Sequence, residues 1–335
     1  MTFETILRLV KASGVSEGEL ILVHFWGEDA DKAIANRFVT AVAAAGATPV
    51  LLQQARSVNR EVFAAAKPGC FDEKYFELFT KFDAVLDVFA YRPVILGCEL
   101  EEAQMELYRR YVAQLFGRLA GCRRFTQIRI PTEANALESG LDPRDYIRRM
   151  DRAYDIDYDL IAEACRREME KYAGAGAVRV TTGRDCVLRL DLTGREWLDD
   201  AGDGDLPCGE IYIAPVENGT NGSVFFETLW LGGVKYQDIT LEITDGLVTG
   251  CSHEEAAKQF AEMPEAERTV CELGLGLNPN VEDLCGYTVL DEKAAGTLHI
   301  AVGMNTMFGG MNQASDHIDF VGRGKVEVIE SWNRK

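Results

Sequence analysis

A chain of 335 residues with 47% hydrophobic and 27% charged residues is long and apolar enough to build a sizeable core, and two domains are expected. The formal net charge of −19 argues against nucleic acid or an anionic membrane surface as a partner, because both would repel an acidic protein. The charge suits a protein that attracts cations, and it suits equally well a surface kept acidic for solubility.

The sequence has neither a secretory signal nor an apolar run long enough to cross a bilayer. A cytoplasmic protein is therefore predicted. The nine cysteines include no CxxC pair, and their odd number does not fit a disulfide framework. They are interpreted as reduced, mostly buried thiols.

The N-terminal half alternates apolar strands with amphipathic helices. Strands are predicted at 19–25 and 48–53 with a helix over 29–45 between them, which is the order of a parallel βαβ unit. Two more strands follow at 82–90 and 125–130. Further helices are predicted at 59–66, 72–81, 99–119 and 143–171. No GxGxxG follows the first strand, so a dinucleotide site is not predicted.

From Gly174 onward, short β-rich segments replace the alternating pattern. The prediction is an α/β N-terminal domain with a mostly parallel sheet, residues 1–175, followed by an α+β, β-rich, metal-binding and catalytic C-terminal domain, residues 176–335. Asn221–Gly222 is predicted to be a hairpin turn. The acidic loop 199–205 lacks the spacing of a calcium loop and is interpreted as a solvated turn.

Two of the four histidines, His299 and His317, lie near the C-terminus, and Asp319 follows the second. In an extended segment His317 and Asp319 point to the same face, so the pair can share one metal ion. His299 lies in an apolar strand that a glycine-rich segment could fold back toward them. A metal site built by neighbouring strands is predicted. The other two histidines, His24 and His253, are interpreted as a core residue and an exposed helical residue.

Glu210 and Glu272 each lie within an apolar segment, where an unpaired carboxylate is costly to bury. A metal ion is one way to balance the charge, and a lysine, an arginine or solvent is another. With the two histidines and Asp319 they would offer mixed nitrogen and oxygen ligands for two divalent ions. Such a site generates a hydroxide nucleophile and polarises a carbonyl, as amide hydrolysis requires.

Four segments resemble, in order and spacing, the thermophilic aminopeptidases called aminopeptidase T, the M29 metallopeptidases, and their compact branch labelled leucyl aminopeptidase. The segments are Gly209-Glu-Ile-Tyr-Ile-Ala-Pro215, Glu272-Leu-Gly-Leu-Gly-Leu-Asn278, Asp291-Glu-Lys-Ala-Ala-Gly-Thr-Leu-His299 and His317-Ile-Asp319. The resemblance implies a dinuclear site of zinc, cobalt or manganese, a small peptide substrate and a homodimer. It implies as metal ligands Glu210, Glu272, His299, His317 and Asp319.

Two alternatives accompany this resemblance. A related branch comprises ring-cleaving dihydroxypyridine dioxygenases, in which two histidines and an aspartate hold one ferrous ion. In that branch the position of Glu272 resembles a histidine, and the position of His299 is apolar. The second alternative is a non-catalytic homologue that binds metal or peptide. The peptidases commonly carry a tyrosine shortly after the first histidine, and this chain has no tyrosine after Tyr287.

The ligand types favour hydrolysis over oxygenation. We therefore expect a metal-dependent aminopeptidase in which two divalent ions activate water for attack on the first peptide bond. Glu210 or Glu272 is expected to bridge the ions, and the other to carry the proton to the leaving amine. The free amine of the substrate would be held by a metal ion or by the carboxylates.

Overall fold

The computed structural model describes residues 1–93 and 100–329. The chain divides into two compact units, Met1–Tyr158 with Ala201–Cys208 and Asp159–Asp200 with Gly209–Lys335. The division differs in two respects from the one predicted at residue 175. The helical residues after Tyr158 belong to the second unit, and the short segment Ala201–Cys208 belongs to the first.

The helices of the described ranges are, in chain order, α1 (Phe3–Ala12), α2 (Lys32–Ala44), α3 (Arg56–Ala65), α4 (Glu73–Glu77), α5 (Glu102–Ala120), α6 (Glu133–Glu138), α7 (Pro143–Tyr154), α8 (Tyr158–Lys171), α9 (Glu254–Glu262) and α10 (Thr288–Asp291). The strands are β1 (Leu20–Trp26), β2 (Thr48–Gln54), β3 (Ala84–Phe89), β4 (Arg124–Arg129), β5 (Ala177–Thr182), β6 (Val187–Asp191), β7 (Leu198–Asp200), β8 (Asp205–Leu206), β9 (Glu210–Ile213), β10 (Thr220–Leu231), β11 (Val234–Thr244), β12 (Leu247–Cys251), β13 (Val270–Gly276), β14 (Leu298–Gly303), β15 (His317–Gly322) and β16 (Gly324–Val328).

The first unit is built on a parallel sheet of order β2-β1-β3-β4-β8, which confirms the predicted α/β architecture. Strands buried on both faces carry apolar runs, and β1 and β3 have that pattern apart from His24 and Asp87. His24 of β1 is fully buried, as predicted for a core residue. The sequence did not indicate its partner, because the Asp87 carboxylate that lies 2.8 Å from its Nδ1 comes from β3.

The second unit contains two antiparallel sheets, which confirms the predicted β-rich region. One sheet has the order β12-β11-β10-β6-β5-β16 and the other the order β15-β14-β13-β9-β7. Phe226 of β10 and Phe320 of β15 pack edge to face, and Phe260 of α9 packs on Phe320. The second of these sheets, hereafter the five-stranded antiparallel sheet, carries the residues singled out in the sequence.

The hairpin turn predicted at Asn221–Gly222 is wrong, because both residues lie inside β10. A glycine is needed at position 222 for close strand approach, since a Cβ there would lie 2.1 Å from the carbonyl oxygen of Val187. The turn between β10 and β11 is formed instead by Gly232 and Gly233, which both have positive φ. His253 is exposed, as predicted, and precedes the first residue of α9.

The eight cysteines of the described ranges are free thiols, and four of them are buried. Cys98 and Glu99, the predicted start of one helix, lie outside the described residues. None of the helices in 1–93 and 100–329 combines the length and the apolar stretch that a bilayer crossing requires.

Candidate metal centre

The five residues predicted to bind metal lie on four adjacent strands of the five-stranded antiparallel sheet. Glu210 begins β9, Glu272 lies in β13, and His299 lies in β14. His317 and Asp319 are both in β15. Antiparallel pairing therefore gathers side chains that are far apart in the sequence, within one of the two units.

The strand register places these side chains on one face of the sheet and surrounds them with small residues. Asp319 is opposite Ala301, which is opposite Glu272. His317 is opposite Gly303. Residues directly opposite each other in a sheet share a face, so alanine and glycine leave open space between the polar groups.

One group of donor atoms consists of Glu272, His317 and Asp319, whose ligand atoms all lie within 4.8 Å of one another. The Nε2 atom of His317 is 3.2 Å from Oδ1 of Asp319 and 3.5 Å from Oε2 of Glu272. The other ring nitrogen, Nδ1, donates a hydrogen bond of 2.8 Å to the carbonyl oxygen of Met304. That bond fixes the ring and directs Nε2 toward the two carboxylates.

A second group of donor atoms lies around His299. Its Nε2 atom is 3.0 Å from Oε1 of Glu272 and 3.7 Å from Oε2 of Glu210. The Glu272 carboxylate thus has one oxygen toward each histidine. Oε2 of Glu210 is buried and accepts no hydrogen bond from any residue in the described ranges. A buried carboxylate oxygen without a donor is the kind of atom that a cation stabilises.

Gly274 makes room for the imidazole of His299. The two residues are opposite each other in β13 and β14, and a Cβ at position 274 would lie 1.9 Å from Nε2 of His299. The ring therefore lies over a strand that has no side chain at this point. Any larger residue would force the ring away from Glu272.

We expect Gly274→Ala to weaken divalent-ion binding at least about 10-fold without unfolding the protein, because displacement of a ligand that is held in place is costly. Isothermal titration with Zn²⁺, Co²⁺ and Mn²⁺ measures the affinity, and circular dichroism checks the fold. Gly176→Ala is the matched control, since the nearest atom to its Cβ would be 3.8 Å away. Unchanged ion affinity in Gly274→Ala would show that the position of His299 is unimportant for binding.

A buried lysine lies beside these donors. Lys293, directly after the α10 helix and its C-cap, is 1% exposed, and its Nζ is hydrogen-bonded to Oε1 of Glu210. Nζ is also 2.9 Å from Oε1 of Glu292 and 3.5 Å from Oδ2 of Asp200. Asp200 of β7 is opposite Glu210 of β9 and is 4% exposed. We call these groups the carboxylate cluster. It consists of Lys293 and of five acidic residues, Asp200, Glu210, Glu272, Glu292 and Asp319.

Three members of this cluster were not predicted from the sequence. The acidic loop 199–205 was interpreted as a solvated turn, and this is wrong for Asp200, which is buried by its pairing with β9. Glu292 and Lys293 fall inside a segment that contributed to the resemblance, but no role was assigned to them. Their signal in the sequence was a charged pair a few residues before the buried strand β14.

Burial and mutual repulsion leave the cluster with protons bound near neutral pH. Burial raises the pKa of the Glu210 carboxyl to about 8 and that of Glu292 to about 7, although Lys293 opposes both shifts. Burial lowers the pKa of His299, but the hydrogen bond with Glu272 and the charge of Glu210 outweigh it and raise the pKa to about 9. Divalent ions compete with such protons for the same atoms.

His317 and Asp319 form an ion pair in this arrangement. Burial acts against both charges, but their hydrogen bond raises the pKa of His317 and lowers that of Asp319. The pair is therefore charged at neutral pH. A cation bound between them would replace the proton on Nε2.

An aromatic pair forms one side of the site. Tyr212 lies two residues after Glu210 on β9, and its ring contacts that of Phe308 at a centroid distance of 5.6 Å. Phe308 also contacts the ring of His317 at 5.7 Å. Burial, together with the charges of Asp200 and Glu210, raises the pKa of the Tyr212 phenol, so the phenol stays protonated.

Shape alone does not mark this site. A cavity of about 600 Å³ lies elsewhere in the second unit, lined by residues of α8 and of the segment before β7, including Arg166, Tyr172 and Trp197. None of the residues that line it belongs to the carboxylate cluster. The chemistry of the donor atoms therefore identifies the site better than cavity volume does.

An antiparallel sheet that gathers two imidazoles and several buried carboxylates on one face defines the class of a metal-dependent enzyme. The sequence profile of the thermophilic metalloprotease family (M29) matches residues 162–329, half of the chain. The chain belongs to this family, and it is accordingly a metallopeptidase, a hydrolase that uses divalent metal. The matched segment contains all five predicted ligands.

Two solved structures share the fold. Wild-type AmpT from Thermus thermophilus has 17% sequence identity, a TM-score of 0.66, and coverage of 99% of this chain and 98% of its own. The 2,5-dihydroxypyridine dioxygenase from Pseudomonas putida KT2440 has 15% identity, a TM-score of 0.63, and coverage of 97% and 93%. At these identities the likeness concerns the fold alone. A search among curated proteins gave no match.

Proposed function

We propose that the protein is an aminopeptidase that holds two divalent ions and removes the N-terminal residue of small peptides. The main support for two ions is the excess negative charge of the carboxylate cluster. Five buried or nearly buried carboxylates face one buried ammonium, so four negative charges need protons or cations. Two divalent ions would balance these four charges.

The donor set fits two ions. His317 and Asp319 would hold one ion, His299 and Glu210 the other, and Glu272 would bridge them through its two oxygens. Mixed imidazole and carboxylate ligands suit zinc, cobalt or manganese. When bound, such ions lower the pKa of a coordinated water and polarise the peptide carbonyl.

The protein groups have separate tasks in this proposal. Glu272 would present one oxygen toward each histidine, and Lys293 holds Oε1 of Glu210 so that Oε2 stays directed at the site. Glu210 would take the proton of the attacking water and pass it to the leaving amine, because both oxygens of Glu272 would be committed to the ions. The acidic surroundings would hold the positively charged amine of the substrate.

Metal analysis combined with an activity assay tests the proposal. The protein is stripped with chelator, reloaded with Zn²⁺, Co²⁺ or Mn²⁺, and assayed with aminoacyl-naphthylamides. We expect two ions per chain and release of the dye. N-acetylated substrates should not be cleaved, because they lack the free amine.

The same experiment separates the alternatives. One iron per chain with oxygen uptake on a dihydroxylated pyridine would support the dioxygenase, whose fold is shared. The group formed by Glu272, His317 and Asp319 contains one imidazole and two carboxylates, whereas non-haem iron oxygenases typically use two imidazoles and one carboxylate. Bound metal with neither activity would support a binding protein. The homodimer and the cytoplasmic location stay predictions, and the molar mass in solution checks the first.

A further inference from the structure

Tyr212 faces the metal centre across a strand that has no side chain at that point. It is opposite Gly274 in β13, and Gly274 is opposite His299 in β14. Alternation along β9 places Tyr212 on the same face as Glu210, whose carboxylate approaches His299. Tyr212 and His299 thus lie in one row of the sheet on either side of Gly274, which carries no side chain.

The Tyr212 ring is held in place by the loop after β14. Phe308 contacts it edge to face at an interplanar angle of 81°. This loop is closed at its base by Asn305 and Asn312, since the backbone N–H of Asn312 donates to Oδ1 of Asn305 at 2.8 Å. The side chain of Asn305 is fully buried and donates to the carbonyl oxygen of Cys271. The phenol is therefore oriented before any ligand arrives.

The hydroxyl of Tyr212 makes no hydrogen bond to any residue of the described ranges, and the residue is half-buried. Two other tyrosines use their hydroxyl groups in hydrogen bonds within the protein. Tyr111 accepts from Gln54, and Tyr236 accepts from Gln259. The Tyr212 hydroxyl is not among the buried polar atoms without a partner, so water or a ligand can reach it. A fixed phenol beside carboxylates that it does not contact is a donor available to a ligand.

We propose that Tyr212 is a catalytic residue, whose hydroxyl donates a hydrogen bond to the carbonyl oxygen of the scissile peptide bond as that oxygen becomes negatively charged. This role rests on the proposed aminopeptidase function. The oxygen of the attacking water forms the new C–O bond, and the C–N bond breaks. The proton given up by the water reaches the leaving amine through Glu210, and Tyr212 keeps its own proton.

The Tyr212→Phe variant tests this role, because it removes only the hydroxyl and keeps the contact with Phe308. We expect kcat to fall about 100-fold with KM little changed, as for loss of one oxyanion donor. The affinity for an aminoalkylphosphinic peptide analogue, which mimics the tetrahedral species, should fall by a similar factor. Bound metal, the thermal midpoint and the affinity for the free amino acid product should not change.

Tyr172→Phe is the matched control, because that tyrosine lies in the same unit, stacks on Trp197, and hydrogen-bonds Glu168. If the wild type is active and Tyr212→Phe keeps its kcat and its affinity for the analogue, the role of Tyr212 is overturned while the aminopeptidase stands. Loss of bound metal from Tyr212→Phe would also overturn the proposed role of Tyr212, since the hydroxyl would then be needed to build the metal site and not to act on the substrate. A wild type that is inactive with every ion and does not bind the analogue overturns both proposals.

Discussion

Glu272→Gln is expected to lose divalent-ion binding and peptidase activity together. The Glu272 carboxylate has one oxygen 3.0 Å from His299 and the other 3.5 Å from His317, and the glutamine amide would present an N–H group in place of one of them. We expect ion affinity to fall at least about 100-fold, more than is typical when a group that only orients a ligand is lost. Calorimetric titration and elemental analysis measure this effect.

The control for this variant is Glu327→Gln, which removes a carboxylate that pairs with Arg179 at the edge of the other sheet. It should keep both the ions and the activity. A Glu272→Gln protein that retains two ions per chain and full turnover would show that the centre lies elsewhere.

Lys293→Met is expected to destabilise the folded protein by about 3 to 5 kcal/mol, the usual consequence of removing one partner from a buried ion pair. Lys293 is 1% exposed, and its Nζ contacts Asp200, Glu210 and Glu292. Without the ammonium these three buried carboxylates repel one another. Urea unfolding in the presence of chelator measures the loss, so that bound ions do not mask it.

Adding Glu292→Gln to Lys293→Met should recover part of that stability, because it removes one of the carboxylates left without a counter-charge. Lys325→Met serves as the control, since that lysine is exposed and pairs only with Glu327 among the described residues. Equal stability of the wild type and Lys293→Met would show that the ammonium does not stabilise the cluster.

The sequence predicted the strands and the five residues of the centre for a physical reason. Charged groups inside apolar segments, such as Glu210 and Glu272, are costly to bury, so they stand out. Alternation in an extended segment placed His317 and Asp319 on one face. Both signals are local, and both are present in the structure.

The remaining members of the cluster depend on long-range pairing that no local signal reports. Asp200 lies in an acidic segment typical of a solvated turn, and only its pairing with Glu210 buries it. Lys293 reaches Glu210 because Gly276 has no side chain; a Cβ there would lie 2.2 Å from the carbonyl oxygen of Ala294. Such close approaches follow from strand register, which composition and periodicity do not determine.

The donors of the centre come from strands that are distant in the chain, and so they meet only when the five-stranded antiparallel sheet has formed. The unfolded chain therefore has no comparable site. The supply of free ions would then control how much of this protein stays folded, because each bound ion would add stability that depends on its free concentration. A shortage of metal would therefore expose the chain to proteolysis as well as stop its turnover.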